Sequence, residues 1–79
     1  MIINQPECIP LEVNYRSIKR IIPVTHSPNF PEIKTQIVLG NGEEWIYAKE
    51  TVDEIRTMVE KEGGTLKFNA KGNYYVCKK

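Results

Sequence analysis

TQIVLGNGEEWIYAKETVDEIRTMVEKEG, residues 35–63, decides the fold of this chain. Its order is strand, tight turn, strand, helix. Asn41-Gly42 is the strongest local signal, because both residues adopt positive φ at little cost and a two-residue type I′ hairpin turn needs that at both central positions. A loop of those two residues sets Leu39 opposite Glu44, Val38 opposite Trp45 and Ile37 opposite Ile46. Gly40 leaves room for a three-residue loop with a bulge. Side chains alternate faces along a strand, so one face carries Thr35, Ile37, Leu39, Glu44, Ile46 and Ala48, and the other Gln36, Val38, Glu43, Trp45 and Tyr47. The first is the better core face. A one-residue slip would exchange the two.

The helix follows directly. Thr51 and Glu54 have the spacing of a capping box, and Asp53 and Glu54 suit the positive end of the helix dipole. Val52, Ile55, Met58 and Val59 recur at helical spacing as one apolar stripe. Arg56 and Glu60 are spaced for an exposed ion pair worth about 0.3 kcal/mol. Gly63-Gly64 stops the helix, since the residue past the last turn often adopts a left-handed conformation. A helix of about twelve residues is marginal alone in water, so its stripe must lie on a sheet; the Ile37, Leu39 and Ile46 face is the candidate.

Outward from this stretch the pattern is less regular. Residues 1–10 contain Pro6 and Pro10 and read as an extended arm, with a short edge strand over 1–3. Leu11, Val13 and Tyr15 alternate with polar residues and predict a half-buried strand, and the apolar run through Val24 continues it or forms another. Pro23 cannot donate to a ladder, so that run ends there or lies at an edge. Residues 25–34 form a proline-rich loop with Phe30 as its large apolar residue. Downstream, Leu66 and Phe68 alternate with Lys67 and Asn69, a turn surrounds Gly72, and Tyr74 to Cys77 favour a last strand. The expected architecture is one α+β domain over residues 1–79. Its sheet has four to five antiparallel or mixed strands, with one helix packed on one face. A small β-barrel decorated by the helix is the alternative.

Composition points to a folded chain with no preferred class of partner: 79 residues, 41% hydrophobic, 27% charged and a net charge of +1. A chain this short buries roughly 60% of its unfolded surface and gains from a partner subunit. No signal peptide and no membrane-spanning run is expected, and with only Cys8 and Cys77 the default is a cytoplasmic protein with two reduced thiols. A bridge between those cysteines is the other possibility. Two thiols and one histidine do not compose a structural zinc site.

IKRIIP at 18–23 and TQIVLGNGEEWIYAKETVDEIRTMV at 35–59 resemble the strand, NG turn, strand and acidic helix start of FlbD-type flagellar and swarming proteins. The resemblance covers about half the chain and implies a compact non-enzymatic module. It departs from the family pattern in a second strand one residue longer, an expanded loop at 25–34, and an arm and tail without counterpart. The family supplies no set of functional residues to carry over.

Candidate chemistry is sparse. His26 has no evident nucleophile or orienting group beside it. The carboxylates Glu43, Glu44, Glu50, Asp53 and Glu54 are dense enough to suggest acid/base work, yet capping and a solvated turn account for three of them. The glycines lack the lysine and hydroxyl residue of a phosphate-binding loop. No catalytic residue, metal site, cofactor or small-molecule substrate is inferred. Protein contact is the leading expectation, with Val38, Trp45 and Tyr47 on the face the helix leaves uncovered and Phe30 as a loop anchor; the partner is another protein or a second copy in a homodimer. The competing expectation is a nucleic-acid module using the basic aromatic tail: Lys67, Lys71, Tyr74, Tyr75, Lys78 and Lys79. Seven acids against three bases over residues 43–62 weigh against that reading. The protein-binding activity suits a small bacterial or phage accessory factor.

Overall fold

In the computed structural model the described residues are 1–6, 9–25, 31–40 and 42–78. Cys8, His26, Phe30, Asn41 and Lys79 lie outside them. Among the described residues seven strands and one α-helix follow in order: β1 (Ile2–Ile3), β2 (Leu11–Glu12), a 3-10 turn (Tyr15–Ser17), β3 (Ile18–Pro23), β4 (Thr35–Leu39), β5 (Glu44–Ala48), α1 (Val52–Lys61), β6 (Gly64–Phe68) and β7 (Tyr74–Lys78). β1 and β2 form an antiparallel ribbon of their own. The other five make one antiparallel sheet in the order β5-β4-β3-β7-β6. The sheet is open, so the fold is a small α+β domain rather than a barrel.

The hairpin has the register its sequence implies: Leu39 faces Glu44, Val38 faces Trp45 and Ile37 faces Ile46. Its loop is longer than a two-residue turn. The strands end at Leu39 and Glu44, and the Gly42 N–H donates to the Leu39 carbonyl at 3.0 Å. Gly40 and Gly42 both sit at positive φ, +58° and +96°, which is why glycines occupy those two positions. Pro23 closes β3 at its last ladder position, opposite Thr35, where its missing N–H interrupts nothing further along.

α1 starts at the end of β5, on one edge of the sheet, and leads to β6, on the other. It therefore crosses one face. The Thr51 hydroxyl accepts from the Glu54 N–H at 3.2 Å, and the Glu54 carboxylate accepts from the Thr51 N–H at 3.2 Å, so the capping box is complete. Two orphan donors of the first turn are satisfied by one four-residue motif. Ile55 and Val59 are fully buried and share one core with Ile21, Ile37 and Ala48. Burying a side chain such as Ile55 stabilises by about 2–3 kcal/mol. Arg56 turns back to Asp53 at 2.6 Å rather than forward to Glu60, and its guanidinium lies 5.7 Å above the Tyr74 ring.

The N-terminal ribbon completes the cover on this side: Ile3, Val13 and Tyr15 join the same core. The strand expected through Tyr15 stops at Glu12. The Asn14 side chain captures the Arg16 N–H at 2.9 Å and bends the chain into the 3-10 turn, a local hydrogen bond that competes with the ladder. The turn drives the Tyr15 ring against the start of β6. A Cβ on Gly64 would stand 2.7 Å from that ring and 2.9 Å from the Val59 side chain, so only glycine fits there. Glu50 ties the ribbon to the junction of β5 and α1. Its carboxylate accepts from the Asn4 N–H at 3.1 Å and from Asn4 Nδ2 at 2.6 Å, and the Lys49 N–H donates to the Asn4 carbonyl at 2.8 Å.

Candidate functional site

With helix and ribbon on one side, the other face of the sheet has no secondary-structure layer over it among the described residues. Alternation and register define its ten strand positions. They are Trp45 and Tyr47 on β5, Gln36 and Val38 on β4, Arg20 and Ile22 on β3, Tyr75 and Cys77 on β7, and Thr65 and Lys67 on β6. β3 reaches this register through a bulge between Ile18 and Arg20, which turns Arg20 outward while Ile21 stays fully buried beneath the helix.

One row crosses the whole sheet. Trp45 pairs with Val38, Val38 with Arg20, and Tyr75 with Lys67. One step from the antiparallel pair Ile21–Tyr74, Arg20 lies beside Tyr75. From edge to edge, the row is Trp45, Val38, Arg20, Tyr75, Lys67. Trp45 is 53% exposed, Tyr47 42% and Tyr75 38%, whereas Val38 between Trp45 and Arg20 is only 5% exposed. Arg20 and Lys67 are exposed. None of the ten positions is an aspartate or glutamate.

Several acids among the described residues lie on the covered side or are engaged in the scaffold. Glu44 is the partner of Leu39 on the covered side, Glu50 clamps the ribbon, Glu54 caps α1, Asp53 holds Arg56, and Glu62 meets the Met1 α-amino group at 3.2 Å. No group of three or more potential metal ligands occurs among the described residues. The Arg16 guanidinium, which donates to the Tyr15 hydroxyl at 3.4 Å, is raised above its usual pKa by that hydrogen bond and by its electrostatic interaction with Tyr15. It lines a shallow concavity of about 700 Å³ with Met1, Glu12, Val13, Tyr15 and Glu62. A permanently charged arginine is no proton carrier there.

The two residue sets drawn from the sequence fare differently. Val38, Trp45 and Tyr47 share the uncovered face; Phe30 lies outside the described residues. The basic aromatic tail does not come together. Tyr75 and Lys67 face the uncovered side, but Tyr74 faces the helix, under Arg56 and edge-on to Phe68 at 5.2 Å. Lys71 sits in the β6–β7 turn, its N–H bonded to Asn69 Oδ1 at 2.7 Å. The backbone of Lys78 pairs with Gly64, and Lys79 lies outside the described residues. Adjacent tyrosines on a strand point to opposite sides, so a run of tyrosines in sequence is not a patch. Sequence reasoning missed Arg20, because the bulge that redirects it has no glycine to announce it. Cys77 is a free thiol on the uncovered face. No helix among the described residues is long and apolar enough to cross a membrane.

Compared with protein-family models, with curated proteins and with solved structures, the chain finds no match.

Proposed function

We propose that this chain is a small non-enzymatic binding module whose working surface is the uncovered face of its sheet. The observation that carries the reading is the exposure of three large aromatics, Trp45, Tyr47 and Tyr75, on one side of one sheet. Leaving them in water forgoes burial worth about 1.5–3 kcal/mol for a large apolar side chain, and clustered exposed aromatics characterise interaction surfaces. The engagement of Glu50, Asp53, Glu54 and Glu62 in the scaffold supports binding over acid/base chemistry. A regulatory or accessory role of bacterial or phage type suits a module of this size and fits the resemblance of residues 18–59 to FlbD-type proteins.

Hydroxyl-radical footprinting in host-cell extract tests the surface without presuming its partner. Trp45, Tyr47 and Tyr75 are expected to gain protection while Phe68, 62% exposed away from that face, stays reactive. Equal reactivity with and without extract, or protection of Phe68 alone, would end the reading.

A further inference from the structure

We infer that the uncovered sheet face binds single-stranded nucleic acid, with Trp45 and Tyr75 as base-stacking platforms and Arg20 and Lys67 as phosphate contacts. The inference rests on the reading of that face as the working surface and names its partner.

The row itself carries the argument. Strands lie about 4.8 Å apart, so Trp45 and Tyr75, three strands apart, are separated by about 14 Å, and Arg20 and Lys67 by about 10 Å. One base cannot cover both rings, so the row offers two platforms with a cation beside or between them: aromatic, valine, arginine, aromatic, lysine. Val38 forms the low, apolar floor next to Trp45. Alternating π faces and cations across an open sheet hold an unpaired strand by stacking its bases and neutralising its backbone. The chain as a whole carries only +1, so the charge that matters is the local charge of this face. The ten strand positions of this face hold two cations and no acid, and Glu43 lies in the β4–β5 loop beyond the strand end.

Charge also discriminates among occupants. A second copy docked face to face through a two-fold axis would set Arg20 and Lys67 against ten strand positions without a carboxylate to answer them. An acidic polypeptide would satisfy the cations and leave the ring faces without stacking partners. A duplex hides its base faces inside the stack, where a sheet surface cannot reach them. A single strand uses both halves of the row.

Trp45 is the sole tryptophan, so its fluorescence reports the face directly. The full chain is titrated with oligo(dT) and oligo(U) at about 50 mM salt and again at higher salt, beside a duplex of equal length and poly-glutamate. Quenching of Trp45 by both single strands, at least about tenfold tighter than by duplex or poly-glutamate, is expected. Arg20→Gln with Lys67→Gln should weaken binding at least about tenfold and flatten the log–log salt dependence by about 1.4, at roughly 0.7 for each phosphate that is no longer neutralised. Tyr75→Ala should weaken it about tenfold by removing one stacking platform. Lys61→Gln, exposed on the helix side, should change nothing, and thermal melts verify that each variant is folded. No quenching by either single strand, equal quenching by poly-glutamate, or affinity unaltered in the Arg20/Lys67 variant overturns the inference. Concentration-dependent sedimentation that buries Trp45 without nucleic acid overturns it in favour of a second copy. The wider reading of the face is tested separately: protection of Trp45 that survives nuclease treatment of the extract sinks the nucleic-acid partner and leaves the binding face standing.

Discussion

Ile37 and Val38 are neighbours on one strand and belong to two different molecular environments. Ile37 is fully buried under Ile55 and the N-terminal ribbon; Val38 is nearly as buried, at 5%, yet it faces the side that no helix covers. On the covered side, burial comes from a second layer of secondary structure. On the other, Val38 is flanked in the register by Trp45 and Arg20, two larger residues that remain exposed themselves. Low exposure at a single residue therefore does not identify a core. One face is closed by tertiary packing, and the other has no second layer of secondary structure among the described residues, which leaves its exposed side chains available to a partner.

Truncating each neighbour to alanine separates the two kinds of burial. Ile37→Ala opens a cavity with helix, sheet and ribbon around it and should cost about 3–4 kcal/mol. A chain of this length has roughly 4–12 kcal/mol in all, so the variant should melt some 20 °C lower or fail to fold. Val38→Ala removes two methyl groups that flexible neighbours can replace, and about 1.5 kcal/mol is expected. Calorimetric or circular-dichroism melts of both variants decide the matter. Equal losses would mean that the uncovered face is a second core.

The covered side depends on a polar clamp as well as on apolar packing. Glu50→Ala removes the acceptor for the Asn4 N–H and side-chain amide at a site only 8% exposed. Losing hydrogen bonds to a buried charged group costs about 2 kcal/mol. Local loosening should accompany the global loss. The Val13 N–H, bonded to the Met1 carbonyl at 2.8 Å, and the Lys49 N–H should exchange with solvent faster, while amides in the middle of α1 change only in step with overall stability. Uniform acceleration across the chain would show that the ribbon is not a separately held unit.

Much of this architecture was legible where signals are local. The capping box at Thr51 and Glu54, the glycine stop at Gly63 and the hairpin register from Leu39 to Glu44 depend on residues within a few positions of one another. The stripe of Ile55 and Val59 fixed which face the helix must cover. What escaped was set at longer range or by weak local cues. Asn14 diverts an alternating pattern into a 3-10 turn, a bulge with no glycine turns Arg20 outward, and Glu50 finds Asn4 across 46 positions of sequence. The candidate face divided in the same way. Trp45, Tyr47 and Val38 lie on one hairpin, so their common side followed from alternation. Arg20 joins them through the bulge in β3, and Lys67 only through the insertion of β7 between β3 and β6, a neighbour relation that no periodicity encodes.

Trp45→Ala should have the smallest effect on the fold and thereby sharpens the comparison most. A large aromatic in a core costs about 3–5 kcal/mol when cut to alanine. Trp45 is half exposed on an edge strand and lies on the side without a second layer, so its loss should move stability by no more than about 0.5 kcal/mol, apart from what it withdraws from Val38. The melting temperature should fall by under about 4 °C, in marked contrast to Ile37→Ala on the adjoining strand. A drop near that of Ile37→Ala would place Trp45 in the scaffold and remove the reason for treating its face as a working surface. Retained stability with disappearance of partner protection at Tyr75 would instead tie the exposed ring to function, because a residue that the fold can spare while binding cannot serves the partner rather than the core.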